Sequence, residues 1–93
     1  MVKVIWTDNA ISNLDEIGNY ISKNSDRYAA ITVQKLFEAV DILEQHPKAG
    51  RMVPEFETEN IRELIRGNYR IIYEIVNEFR IDITSIHHEA KLL

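Results

Sequence analysis

The run Tyr69-Arg-Ile-Ile-Tyr-Glu-Ile-Val76, followed by Asn77-Glu78 and then Phe79-Arg-Ile-Asp-Ile-Thr-Ser-Ile86, decides how the chain is read. Two stretches rich in Ile, Val, Tyr and Phe flank a two-residue polar break, the pattern of paired β-strands joined by a hairpin turn. Asn tolerates positive φ, whereas Glu is a poorer second loop residue than Gly. With Asn77-Glu78 as the loop, one face sets Val76 opposite Phe79, Glu74 opposite Ile81 and Ile72 opposite Ile83. The other face sets Ile75 opposite Arg80, Tyr73 opposite Asp82, Ile71 opposite Thr84 and Tyr69 opposite Ile86. The first face, with Ile72, Val76, Phe79, Ile81 and Ile83, is the expected core, and a slip of one residue exchanges the two.

At 93 residues the chain has room for one hydrophobic core and not for two, so residues 1–93 are expected to form a single domain. Hydrophobic content of 45% with 28% charged residues is that of a soluble globular chain. No run approaches the length of a membrane span. The N-terminal Met1-Val-Lys-Val-Ile-Trp6 lacks the features of a signal peptide, so the expected compartment is the cytoplasm. The absence of cysteine excludes disulfides, thiolate zinc sites and thiol catalysis together. A net charge of −4 argues against a general nucleic-acid binder. Residues 46–93 nevertheless hold seven of the basic groups, including Lys48, Arg51, Arg62, Arg66, Arg70 and Arg80, so geometry can still build a local basic patch.

Val2–Trp6 reads as a short strand. Thr7-Asp8 then starts a helix, with Thr as cap and Asp favourable to the dipole in the first turn. Its apolar stripe is Ala10, Ile11, Leu14, Ile17 and Ile21, and Gly18 inside it points to close packing against a neighbour. After the break Lys23–Asp26, Ser25 caps a second helix with the stripe Ala29, Ala30, Val33, Leu36, Phe37, Val40 and Leu43. His46-Pro47 ends it, because the residue before proline is pushed out of the helical region. The short break makes the two helices an antiparallel hairpin. Pro47–Glu55 is read as a loop, Phe56–Asn60 as an acidic unpatterned stretch and Ile61–Ile65 as a strand. His87–Leu93 is read as a frayed turn. The expected fold class is α+β in the order β-α-α-β-β-β, with the helical hairpin packed on a small, mainly antiparallel sheet whose last three strands form a meander. The place of the first strand does not follow from this pattern.

Arg62, Arg66 and Arg70 can grip a phosphate or an acidic partner, since the planar guanidinium pairs bidentately. The plainer reading pairs them with Glu63, Glu74 or Asp82. His87 and His88 invite acid–base chemistry, but adjacent strand residues face opposite sides and cannot serve one site. Tyr69 and Tyr73 share a face and are expected to pack half-buried against the sheet rather than stack on bases. No catalytic triad, Gly-rich phosphate loop or metal motif is visible. No cofactor, metal or small-molecule ligand is therefore expected.

Taken together, these residues resemble the RelE/ParE superfamily of toxins from type II toxin–antitoxin systems. The resemblance rests on the strand and helical hairpin, then Pro47-x-x-Gly50-Arg51-x-Val53-Pro54-Glu55, then Arg62-Glu63 ahead of Tyr69-Arg70-Ile71-x-Tyr73, then Ile83-x-x-Ile86-x-His88. It implies a cognate antitoxin as partner. RelE-like members cut messenger RNA in the ribosome with basic sheet residues and a tail in which His or Lys is followed by Arg and then Tyr. Here His88 is followed by Glu89, and no tyrosine follows Tyr73. The tail His88-Glu89-Ala90-Lys91-Leu92 is closer to the ParE-like His-x-Ala-Arg-x-Leu, with Lys91 in place of Arg. The resemblance thus implies a gyrase-directed toxin without a catalytic triad of its own, with Arg51, Arg62, Arg66, Arg70, His88 and Lys91 as target or partner contacts. The alternatives are a ribosome-dependent nuclease working on mRNA through Arg62, Arg70 and His88, and a homologue that has lost toxicity and only binds the antitoxin.

Overall fold

The computed structural model describes residues 1–88. Strand β1 (Lys3–Trp6) leads into helices α1 (Asp8–Ser22) and α2 (Asp26–Ala39), and a 3-10 segment (Val40–Glu44) follows. Strands β2 (Arg51–Met52), β3 (Ile61–Arg66), β4 (Tyr69–Asn77) and β5 (Arg80–His88) complete one five-stranded sheet in the order β1-β5-β4-β3-β2. The expected meander of β3, β4 and β5 is present, and β1 lies parallel beside β5. The Pro47–Glu55 loop contains a short strand, because Arg51 and Met52 pair with Glu63 and Arg62. The last strand runs on through His87 and His88, where a frayed turn was expected.

Both helix starts follow from their caps. Thr7 accepts from the Ala10 N–H and Ser25 from the Tyr28 N–H, each satisfying one orphan donor of the first turn. Each helix buries a narrower stripe than its sequence pattern suggests: Ala10 and Leu14 from α1, Ala29 and Leu36 from α2. Ile11 and Phe37 stay about half exposed, although Phe37 stacks on Trp6 with ring centroids 5.5 Å apart. Gly18 sets the helix spacing, since a Cβ there would lie 3.0 Å from Val33 Cγ2.

The hairpin corrects the expected register. Asn77 pairs with Arg80, so the loop is Glu78-Phe79 and not Asn77-Glu78. The cause is local: the Asn77 side chain accepts the Phe79 N–H at 2.8 Å, an Asx turn that moves the reversal one residue on. On β4 the faces exchange, while Ile81 and Ile83 of β5 stay in the core as expected. Ile71, Tyr73, Ile81, Ile83 and Ile86 form the core, while Val76 and Phe79 are exposed at 41% and 73%.

Two bulges make this possible. Val76 has no partner between the pairs Ile75–Ile81 and Asn77–Arg80, and Thr84 has none between Ile72–Ser85 and Tyr73–Ile83. The second bulge lets Ile83 and Ile86, an odd number of residues apart, face the same core. It also leaves backbone groups that need partners. Helix α1 supplies them: Thr7 Oγ1 donates to the Ile83 carbonyl at 2.7 Å, Asn9 Nδ2 to the Thr84 carbonyl at 2.9 Å, and Asn13 Oδ1 accepts from the Ile86 N–H at 3.0 Å. These bonds fix α1 over β5. Fully burying each large apolar side chain beneath it contributes about 1.5–3 kcal/mol.

Candidate functional site

The loop from Pro47 to Asn60 is fastened to the sheet by one tyrosine and a chain of ion pairs. Tyr73 is fully buried, deeper than the half-buried packing expected of it. Its hydroxyl donates to the Pro47 carbonyl at 2.7 Å and accepts from the Gly50 N–H at 2.9 Å. Burial raises the Tyr73 pKa. Gly50 must be glycine here, because a Cβ would fall 2.5 Å from the Glu63 carbonyl oxygen and 2.7 Å from the Tyr73 ring. The Pro-x-x-Gly-Arg motif is thus a docking element for the tyrosine hydroxyl.

From Gly50 the chain passes to Arg51, whose Nε donates to Glu63 Oε2 at 2.6 Å. The other Glu63 oxygen accepts from Arg70 Nε, also at 2.6 Å. Arg70 then makes a bidentate pair with Glu55, at 2.8 and 2.9 Å. The Glu63 side chain is wholly buried and that of Arg70 is 7% exposed, while Arg51 remains 63% exposed. The hydrogen bonds that Arg70 donates to Glu55 and Glu63 hold its pKa above its ordinary value, against desolvation. Two cations and two carboxylates cancel, so this cluster offers no net positive charge to a phosphate.

Arg51 and Arg70 are therefore brought together, but by a shared carboxylate. Arg62 donates to the Gly50 and Glu59 carbonyls at 2.9 Å each and holds the same loop. Arg66, at the end of β3, donates to the Ile65 carbonyl. His88 lies opposite Tyr69 at the end of β5, its ring edge-on at 5.8 Å. Lys91, with Glu89 and Ala90, lies outside the described residues. The set Arg62, Arg70 and His88 is not assembled. Arg62 registers with Tyr73 and His88 with Tyr69 on the helix-covered side, roughly 13 Å apart along the strand. Arg70 registers with His87 on the opposite face.

The plainer sequence reading paired the arginines with Glu63, and Arg51 and Arg70 do pair with it; what that reading missed is that the Glu63 side chain is buried, and that Glu55 completes the cluster. A signal for the first was available: a carboxylate inside the apolar run Ile61–Ile65 either faces water or requires a buried cation. It also missed a groove along the end of the sheet. One part, about 660 Å³, is lined by Glu16, Ile17, Tyr20, Tyr69 and His88. The other, about 710 Å³, is lined by Tyr28, Ile31, Lys35, Arg66 and Tyr69. Ile21 and Tyr69 belong to both, so the two are continuous. Tyr20 and Tyr28 are 71% and 61% exposed. Their positions off the apolar stripes of α1 and α2 were the legible hint.

A helical hairpin laid on one face of this five-stranded sheet, with a groove at its end, has the architecture of the RelE/ParE toxin superfamily. The chain belongs to the family of ParE toxins of type II toxin–antitoxin systems, whose model matches residues 4–93. It is 32% identical over 92 residues to toxin RelE2 of Caulobacter vibrioides, covering 99% of this chain and 100% of that one. Identity to the protein Y4kP of Sinorhizobium fredii is 34% over 88 residues, 92% of this chain and 86% of that one. A chain from a solved chromosomal ParDE toxin–antitoxin system of P. aeruginosa superposes with a TM-score of 0.75 at 27% identity, over 95% of this chain and 96% of that one.

Proposed function

We propose that this toxin arrests growth as a cytoplasmic binding module directed at DNA gyrase, and that a cognate antitoxin neutralises it. Membership of the ParE family supports the gyrase target, and the solved ParDE system supports the antitoxin. The observation that carries the choice of a binding mode over RNA cleavage is the fate of Arg70. Its charge is matched by Glu55 and Glu63, on the opposite sheet face from His88. Of the expected contacts, Arg51, Arg66, His88 and Lys91 are the proposed partner contacts, whereas Arg62 and Arg70 hold the loop.

The antitoxin segment occupies the groove between the helices and the β3–β4 turn. Apolar anchors meet Ile17, Ile21, Ile31 and Tyr69, with acidic groups toward Lys35 and Arg66 and a basic group toward Glu16. The test is gyrase supercoiling at excess purified toxin, with and without antitoxin, run beside transcript integrity in induced cells. Inhibition relieved by antitoxin, with intact transcripts, is expected. Full supercoiling at excess toxin removes the gyrase target, cut transcripts favour the nuclease, and unimpaired growth points to a non-toxic antitoxin binder.

A further inference from the structure

The sheet face away from the helices carries a concavity of about 320 Å³ that lies outside the loop fastening and shares only His87 with the groove. Ile61 and Ile72 form its floor, Phe56 from the loop forms one wall, and Ser85 and His87 form the other. Ile72 is 3% exposed although it faces outward, so this side is walled in, while Phe56 itself keeps 42% of its surface open. Ser85 Oγ and His87 Nε2 lie 2.9 Å apart in a hydrogen bond. Glu74 stands at the mouth and is exposed. Directly across the strand pair from it is Asp82, an arrangement of like charges that is unfavourable by itself. Asp82 is balanced by Arg80, which binds both of its oxygens. The three groups thus carry one net negative charge.

We propose that this concavity is a receptor for a single basic side chain, arginine or lysine, presented by a protein partner. The volume is at the floor of the ~300–1,000 Å³ range of ligand pockets, which suits one side chain better than a whole small molecule. A long basic side chain matches each part. Its methylene stem lies along Ile61 and Ile72, removing apolar surface from water. Its cation reaches Glu74 for a charge-assisted hydrogen bond and is attracted by the Phe56 ring. An anionic ligand is repelled by the same carboxylates, which sets this site apart from an RNA-gripping surface. The site does not depend on what the toxin's cellular target is.

The experiment uses the full-length, isotope-labelled toxin and follows backbone amide shifts. The probes are N-acetyl-arginine amide, N-acetyl-norleucine amide as the uncharged stem, and a short RNA oligonucleotide. The arginine probe is expected to give saturable shifts at Ile61, Ile72, Glu74 and Ser85. Glu74→Gln, a change on the surface, is expected to weaken it by roughly two- to five-fold, the worth of one exposed ion pair. Phe56→Ala is expected to weaken both amide probes. Equal binding of the norleucine probe, an unchanged affinity in Glu74→Gln, shifts confined to other acidic surfaces, or preferential binding of RNA at these amides would each overturn the proposal. Gyrase inhibition is read separately, so either idea can fail alone.

Discussion

Replacing Glu63 by Gln keeps the shape of the side chain and removes the charge between two guanidinium groups. The cost can be worked from the geometry. Arg51 is largely exposed, and losing its pair is worth at most ~1 kcal/mol. Arg70 is buried, and breaking a buried pair by removing one partner costs about 3–5 kcal/mol. Arg70 keeps its bidentate bond to Glu55, which places the expected loss near the lower end, at about 3 kcal/mol. For a domain of this size that is a large share of a total stability of roughly 5–15 kcal/mol. At about 4–8 °C per kcal/mol, the Tm should fall by roughly 12–24 °C. Urea unfolding followed by circular dichroism, with an unchanged m-value, is the assay. The double replacement Glu63→Met with Arg70→Met should recover much of the loss, because apolar side chains of similar volume replace the buried pair, and the two charges that lose it as a partner, Arg51 and Glu55, both reach water. A loss below ~1 kcal/mol in Glu63→Gln, or a double variant no better than the single one, would refute the idea that Glu63 is the electrostatic keystone of the loop.

Three further outcomes follow, two from the same site and one from the Arg80–Asp82 pair. Tyr73→Phe should cost about 1–3 kcal/mol by leaving the Pro47 carbonyl and Gly50 N–H without their partner, measured by the same urea titration. Because the folded Tyr73 pKa is raised, its stabilisation is fully present below the unfolded value near pH 10 and is lost as pH rises through the folded value; alkaline titration of Tyr73→Phe should lack that component. Gly50→Ala should destabilise by about 3 kcal/mol or more, since the new methyl meets backbone as well as the Tyr73 ring, and a crystal structure or amide shifts should show the loop displaced. Asp82, whose pKa is lowered by its hydrogen bonds to Arg80, stabilises above the unfolded value near pH 4 and loses that effect as pH falls through the lower folded value. Asp82→Asn should remove this acid-side component, and the difference should shrink in high salt because Arg80 is exposed.

Much of the fold was legible because it is written in local chemistry. The caps Thr7 and Ser25, the helical spacing and the apolar strand runs specify helices and strands wherever they sit, and the motif order carried the family. The candidate site was legible only in part. The motif Gly50-Arg51 and the arginines at 62 and 70 were visible as residues, but not that a carboxylate ties 51 to 70 or that a buried hydroxyl anchors residue 50.

The sequence by itself determined both helices and the strands other than β2 and the end of β5, that β3, β4 and β5 form a meander, and that the chain is a toxin of this superfamily. The tertiary structure decided the register, the faces and the company each charge keeps. A one-residue displacement of the turn, set by the Asn77 side chain, and two bulges move every β4 side chain to the other face. Such a slip exchanges the faces of a strand, but β4 carries Ile71, Tyr73 and Ile75 on one face and Ile72 and Val76 on the other, so its apolar pattern alone does not choose between them. Only packing, and the demand of the bulge's backbone groups for Thr7, Asn9 and Asn13 on α1, selects between the alternatives. Packing likewise sets Arg70 against Glu63 and Glu55, which is what converts an apparent phosphate grip into a fastening for the loop.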